Sequence, residues 1–214
     1  MATGVFISLD GIDGTGKSTQ CRLLVDWLIG RGLAVTHCID PGGTELGAEL
    51  RKIVLSGRDR LMHMRAEALL FMASRAELCD RVIRPALDRG EVVVSDRFTL
   101  ANVVYQGHAG GADVDELWAV GRFATAGLEP DLTVLFDLPI EAAARRRGRP
   151  ADRMERRSDD YHRKVRDGFL TEARRRPERI TVLDATPDAE TVAQAVRRAV
   201  SPVLQARGHL TQDG

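Results

Sequence analysis

The residues best suited to chemistry cluster near the start of the chain. Gly11, Gly16, Lys17 and Ser18 meet the spacing G-x-x-x-x-G-K-[ST] within Gly11-Ile12-Asp13-Gly14-Thr15-Gly16-Lys17-Ser18-Thr19. Glycines let the backbone bend until several N–H groups point inward, a shape that fits phosphate oxygens. Lys17 brings a full positive charge to the outer phosphates of a nucleoside triphosphate, and Ser18 brings a hydroxyl for Mg²⁺. Gly11 to Thr19 are therefore the candidate triphosphate contacts. Asp13 is an odd choice in a loop built for anions. It either accepts a hydrogen bond from a sugar hydroxyl, acts on the magnesium shell, or only builds an Asx turn.

Two other stretches carry charge in a pattern that matters. Glu91-Val-Val-Val-Ser-Asp96-Arg97 is a hydrophobic run ending in Asp-Arg. Asp96 suits the water shell of Mg²⁺, and the planar fork of Arg97 suits a phosphate. From Arg145 to Arg157 there are seven arginines, interrupted by Gly148 and Pro150 and without interleaved aromatic side chains for base stacking. This stretch reads as a mobile lid, at about 145–157, that closes over phosphates.

The elements around these residues explain why they meet. Val5 to Leu9 predicts a buried strand before the glycine loop, and Cys21, Leu24, Val25, Leu28 and Ile29 recur at helical spacing after it. Further strands are expected at 34–39, 91–95, 132–137 and 180–183. Helices are expected at 44–56, 98–106, 114–126, 139–147, 159–175 and 190–205. One long helix is expected over 64–89, with Pro85 as the place for a kink. Strands thus alternate with helices, which predicts an α/β domain over residues 1–214, with a central parallel sheet of about five strands flanked by helices. In such a sheet ligands bind at the carboxyl ends of the strands, where both Lys17 and Asp96-Arg97 fall. Residues 209–214 read as a frayed tail.

Composition limits the partners. With 31 basic and 31 acidic residues among 214, the formal net charge is +0, so no globally basic nucleic-acid surface is expected. No apolar run is long enough to span a membrane, and Met1 to Leu9 does not read as a signal peptide. Cys21, Cys38 and Cys79 have no paired spacing and read as reduced, buried thiols, which fits a cytoplasmic protein.

Five ordered segments resemble the thymidylate kinase family of nucleoside monophosphate kinases, over about residues 4 to 205. They are Asp10 to Thr19; Pro41-Gly-Gly-Thr-Glu-Leu-Gly followed by Arg51; Leu70-Phe71-x-x-x-Arg75; Asp96-Arg97-Phe98 with Asn102 and Tyr105-Gln106-Gly107; and Asp152-Arg153-Met-Glu155. The resemblance implies a three-layer P-loop kinase fold, ATP as donor, Mg²⁺, dTMP as acceptor, dTDP as product on the way to dTTP, and a homodimer. It also implies roles for single residues. Asp13 would contact the 3′-hydroxyl of the acceptor sugar. Arg97, assisted by Arg51, would hold the acceptor phosphate. Phe71 would stack on thymine, and Arg75 and Asn102 would bond its edge, with Gln106 alongside. Tyr105 would fill the space of a ribose 2′-hydroxyl. Lys17 and lid arginines, with Arg149 and Arg153 as candidates, would steady the transferring group. Two positions depart from the family's pattern: Asp10 stands where Glu is common, and Ile39-Asp40 stands where Arg-Glu is common.

Two other readings of the sequence stay open. One is a P-loop kinase for another nucleoside monophosphate or a deoxynucleoside, against which Arg97 argues only where the acceptor lacks a phosphate. The other is a GTPase-like switch, but no guanine-reading Asn-Lys-x-Asp motif is present.

Overall fold

A computed structural model describes residues 3–56, 62–146, 154 and 157–211. Five strands form one parallel sheet: β1 (Val5–Gly11), β2 (Val35–Ile39), β3 (Val92–Asp96), β4 (Leu132–Asp137) and β5 (Ile180–Asp184), in the order β2-β3-β1-β4-β5. β1 is central and buried along its whole length, as its continuous apolar run requires. It pairs with β3 from Val5↔Val92 to Leu9↔Asp96 and with β4 from Ile7↔Leu132 to Gly11↔Phe136. The chain leaves β1 toward one edge of the sheet and later returns to build the other. The switch point therefore lies at the carboxyl end of β1, where the glycine loop begins.

The alternation of side chains divides the core. Val5, Ile7 and Leu9 join Leu24 and Leu28 of α1 (Lys17–Ile29) and Val196 and Val200 of α9 (Ala189–Ala206) in the main cluster. Phe6 and Val93 enter a second cluster with Leu78, Ile83, Ala86 and Phe98, where the Phe6 and Phe98 rings meet edge to face at 4.8 Å. Each such side chain contributes about 1.5–3 kcal/mol when fully buried.

The remaining helices are α2 (Glu45–Ser56), α3 (Met64–Leu78), α4 (Arg84–Asp88), α5 (Thr99–Asn102), α6 (Val114–Ala124), α7 (Ile140–Arg146) and α8 (Asp159–Arg175). Their starts follow local chemistry: Thr44, Asp113, Ser158 and Asp188 each accept a backbone N–H of the first turn.

The structure changes three expectations. The long helix over 64–89 is interrupted by a π-helical turn at Cys79–Ile83, where the Arg84 N–H bonds the Cys79 carbonyl. Pro85 follows directly; its ring excludes an ordinary turn there, and the wider turn accommodates it. The helix expected over 98–106 is α5 followed by a second π-helical turn, Val103–His108. The tail is tied down in part, since His209 Nε2 lies 2.8 Å from the Thr3 carbonyl oxygen. All three cysteines are buried, and burial pushes the Cys38 and Cys79 thiols up to about 12.

Candidate active site

The glycine loop leaves β1 and enters α1 with left-handed backbone at Gly14 (φ 91°) and Gly16 (φ 90°). At Gly14 a Cβ would stand 2.2 Å from the Ala143 carbonyl oxygen, so any side chain there would push α7 off the loop. Gly16 caps α1 without a side-chain hydrogen bond, leaving the first N–H groups and the positive end of the helix for an anion. Lys17 is buried. Its Nζ donates to the Ile12 carbonyl at 2.8 Å and lies 3.8 Å from Asp13 Oδ1. Burial lowers its pKa and Arg97 adds to that, while Asp13, Asp96 and Asp10 oppose it.

The ends of β1 and β3 carry the acids. Ser18 Oγ donates to Asp96 Oδ2 at 2.6 Å, which puts a hydroxyl and a carboxylate side by side. These are hard oxygen donors of the kind that suit Mg²⁺, an ion that keeps several waters and shares phosphate oxygens. Asp10 is fully buried, and among the described residues neither of its carboxylate oxygens has a hydrogen-bond partner. Burial raises its pKa to about 7, against the pull of Arg97 and Lys17.

Arg97 follows β3 with φ 74°, left-handed backbone that costs a non-glycine residue about 1–3 kcal/mol. This twist turns its fork back across the sheet. Nη1 donates to the Gly11 carbonyl at 3.1 Å, and Nη2 reaches Asp13 Oδ1 at 2.6 Å and Tyr105 Oη at 3.3 Å. Tyr105 Oη donates in turn to Asp13 Oδ2 at 3.1 Å. Burial opposes ionisation of Asp13, but the charges of Arg97 and Lys17 and these hydrogen bonds hold its pKa well below the usual carboxylate range. The Asp13 carboxylate thus faces Arg97 and Tyr105 across the cleft instead of building an Asx turn.

Asp13 to Thr19, Arg51, Phe71, Arg75, Asp96, Arg97, Asn102, Tyr105 and Gln106 all line one cleft of about 860 Å³. Gly11 and Ile12 stand behind its wall. The Gly11 carbonyl holds Arg97, the Ile12 carbonyl holds Lys17 and Thr15, and the Ile12 side chain lies in the core. Arg51 Nη1 donates to the Pro41 carbonyl at 2.7 Å. Arg149 and Arg153, with most of the expected lid, lie outside the described residues.

Some of the site was not found from sequence. Arg75 is only 1% exposed, and its Nε meets Asp40 Oδ2 at 2.5 Å. Asp40 is one carboxylate of the loop before Pro41, so its charge was visible but its partner was not. Glu67 and Arg157 join the same buried network and were missed. Arg146 and the segment from Ala185 to Ala189 form another rim of the cleft. The position of that segment after β5, at the carboxyl end of a strand, was a usable signal.

The family model "Thymidylate kinase" matches residues 9–196. The thymidylate kinase of Symbiobacterium thermophilum is 46% identical over 204 residues, 95% of each chain. That of Rhodopirellula baltica is 48% identical over 193 residues, 90% of this chain and 78% of its own. The crystal structure of thymidylate kinase from Ehrlichia chaffeensis superposes with a TM-score of 0.75 at 26% identity, covering 93% of this chain and 99% of that one. With a matched model over most of its length and relatives of this identity, the chain belongs to the thymidylate kinase family.

Proposed function

We propose that this chain transfers the γ-phosphoryl group of ATP to the phosphate of dTMP, giving ADP and dTDP. The observation that carries the reading is the Asp13–Arg97–Tyr105 contact, which joins the phosphate loop to the end of β3 within one cleft. The donor lies along the N–H groups of residues 13–19, with Lys17 on its outer phosphates. Ser18 and Asp96 hold Mg²⁺, which when bound offsets the charge of the phosphate oxygens. Arg97, with Arg51, holds the acceptor phosphate, and Asp13 takes the 3′-hydroxyl. Phe71 stacks on the base, Arg75 and Asn102 bond its edge with Gln106 behind them, and Tyr105 occupies the place of a 2′-hydroxyl. No protein nucleophile is needed: an acceptor phosphate oxygen attacks the γ-phosphorus in line, and the residues supply position and charge.

Residues 1–214 act as one kinase domain, with a lid over about 145–157 from which Arg149 and Arg153 reach the transferring group. The working unit is a homodimer. Supporting this, Leu46 and Ile53 on α2, Leu69 on α3 and Phe123 on α6 are exposed, Phe123 at 87%, and α3 packs against both α2 and α6. Among the described residues no helix is long and apolar enough to cross a membrane.

A coupled assay with ATP, Mg²⁺ and a panel of nucleoside monophosphates tests the reading. Turnover of dTMP above the others is expected, and a clear preference for another acceptor overturns it. Light scattering of the wild type and of Phe123→Glu tests the dimer, which is expected to split in the variant. A monomeric wild type removes this part.

A further inference from the structure

A chain of five hydrogen-bonded contacts runs behind the base end of the cleft. Arg75 Nε donates to Asp40 Oδ2, and Arg75 Nη1 donates to Asn102 Oδ1 at 3.0 Å. Asn102 Nδ2 donates to Gln106 Oε1 at 3.0 Å, and Gln106 Nε2 donates to Glu67 Oε1 at 2.8 Å. Arg157 Nη2 closes the chain on Glu67, 3.2 Å from Oε1 and 3.0 Å from Oε2. Asp40, Arg75, Asn102, Gln106 and Glu67 are all buried, so water does not readily replace a lost partner.

The two ends of this chain decide the orientation of its middle. A guanidinium has no acceptor, so Asn102 must turn Oδ1 toward Arg75. A carboxylate held by an arginine is an acceptor, so Gln106 must turn Nε2 toward Glu67. The two amides then agree with each other, Asn102 Nδ2 to Gln106 Oε1. Reversing both would set N–H groups against Arg75 and a carbonyl oxygen against Glu67, each among little-exposed groups.

The orientation has a chemical consequence at the cleft. Oδ1 of Asn102 has a second lone pair, and the Arg75 fork has donors beyond those it uses here. Together they present a donor and an acceptor to a pyrimidine edge. Thymine offers the complement, a carbonyl oxygen at position 4 and an N3–H. Cytosine offers an amino group and a bare N3, which is the mismatch.

We propose that Glu67, held by Arg157, is a specificity-determining positioning residue: it holds Gln106 with Oε1 toward Asn102 and so steadies the Asn102 polarity that Arg75 imposes, with which the site accepts thymine and rejects cytosine. The proposal rests on the reading above that Arg75 and Asn102 face the base. Glu67 itself stays behind the cleft wall and acts through Gln106. The base preference is thereby tuned from α3 and from Arg157, just before α8, outside the base contacts themselves. Arg157 is held in place by the Tyr161 ring, 4.5 Å from its guanidinium carbon, and Tyr161 Oη donates to the Tyr105 carbonyl at 2.7 Å.

The test is the ratio of kcat/KM for dTMP to kcat/KM for dCMP, with thermal melting beside it. In Glu67→Gln the side chain at 67 can donate or accept, so Gln106 can turn Nε2 toward Asn102 Nδ2, and Asn102 loses the acceptor that steadies it against Arg75. The ratio is expected to fall at least about tenfold, mainly through the two KM values, because a site built to hydrogen-bond one edge discriminates by such pairing. The double variant Glu67→Gln/Gln106→Glu returns an obligatory acceptor next to Asn102 Nδ2 and is expected to recover most of the ratio. A role limited to packing would lower both substrates in proportion and would show no such recovery. If Glu67→Gln does not fold, Gln106→Leu cuts the chain while leaving the Glu67–Arg157 pair, and its ratio must fall too. A wild type that prefers dTMP, with a folded Glu67→Gln or Gln106→Leu that keeps the full preference, overturns the proposal alone. A wild type without preference for dTMP over dCMP overturns the base-facing reading and the proposal with it.

Discussion

Asp13 Oδ1 and Arg97 Nη2 lie 2.6 Å apart, although one residue belongs to the phosphate loop and the other to the end of β3. The contact is made possible by the parallel pairing of β1 with β3, which sets Leu9 opposite Asp96 and so brings the two loops together. It gives Arg97 a fixed place before an acceptor arrives. It also leaves the fork oriented toward the cleft, where a phosphate can take up its remaining donors.

Asp13→Asn keeps the shape of this contact and removes its charge. A hydrogen bond to a charged group is worth about 1.5–3 kcal/mol, or about 10- to 150-fold in an equilibrium. The KM for dTMP is therefore expected to rise by about that factor, with the KM for ATP changing much less. Separate saturation curves for the two substrates check this, and equal changes in both would remove Asp13 from the acceptor side.

Lys17→Ala deletes the charge that sits in the glycine loop. Removing one preorganised group that stabilises developing charge costs about 10²–10³-fold in kcat. That loss or more is expected, in a protein that keeps its fold, because Nζ meets only the Ile12 carbonyl and Asp13 among the contacts described. Steady-state rates together with circular dichroism decide it. A folded variant with full activity would remove Lys17 from the chemistry.

The sheet was legible because each strand is a short apolar or β-branched run next to a turn, and the glycine loop marked which strand end binds phosphate. Strand order was not legible in this way; the sequence brought Asp96-Arg97 near Lys17 only through the rule that ligands bind at the carboxyl ends of a parallel sheet. The buried ionic network was not legible. Arg75 sits on a helix, where an arginine is ordinarily exposed. Its partner Asp40 lies 35 positions earlier in the chain, and Gln106 reaches Glu67 across 39. Such pairs arise only when α3, the loop after β2 and the second π-helical turn pack together, and no local pattern records that. The π-helical turns escaped for the same reason: their apolar spacing over a few residues differs little from an ordinary helix.

Tyr105 offers a test of how the sugar is read. Its Oη bonds Asp13, and its ring lies under Arg97, whose guanidinium carbon is 5.1 Å from the ring centre. Tyr105→Ala opens the space beside the sugar, so the preference for dTMP over its ribonucleotide counterpart is expected to fall at least about tenfold. Tyr105→Phe retains the ring and is expected to keep most of that preference while weakening dTMP binding through the loss of the Asp13 bond. Competition between the two nucleotides in one assay measures both effects, and unchanged selectivity in Tyr105→Ala would end the sugar-reading role.

Glu172 bears on stability, away from the cleft. Its Oε1 lies 2.9 Å from His108 Nε2 and accepts from Arg175, and its Oε2 accepts from Trp118 Nε1 at 3.0 Å. These contacts fasten α8 to α6 and to the second π-helical turn, which carries Tyr105 and Gln106. Burial pushes the Glu172 pKa up, but the hydrogen bonds from His108 and Trp118 and the charge of Arg175 outweigh it, and the net direction is below the usual 4.5. A carboxylate lowered in the folded state contributes stability that is present above its unfolded pKa and is lost as pH falls through the folded one. Glu172→Gln is therefore expected to lower Tm at pH 7, since it weakens charge-assisted bonds worth about 1.5–3 kcal/mol each. The gap between wild type and variant should hold down to about pH 5 and close as pH falls below 4.5. Asp115 also faces Arg175, at 3.5 Å, but it is exposed and contributes little to that gap. Melting curves of both proteins across this range, with Asp115→Asn as the control, measure the closure. A gap that stays constant down to strong acid would mean that Glu172 acts through shape and packing and not through its charge.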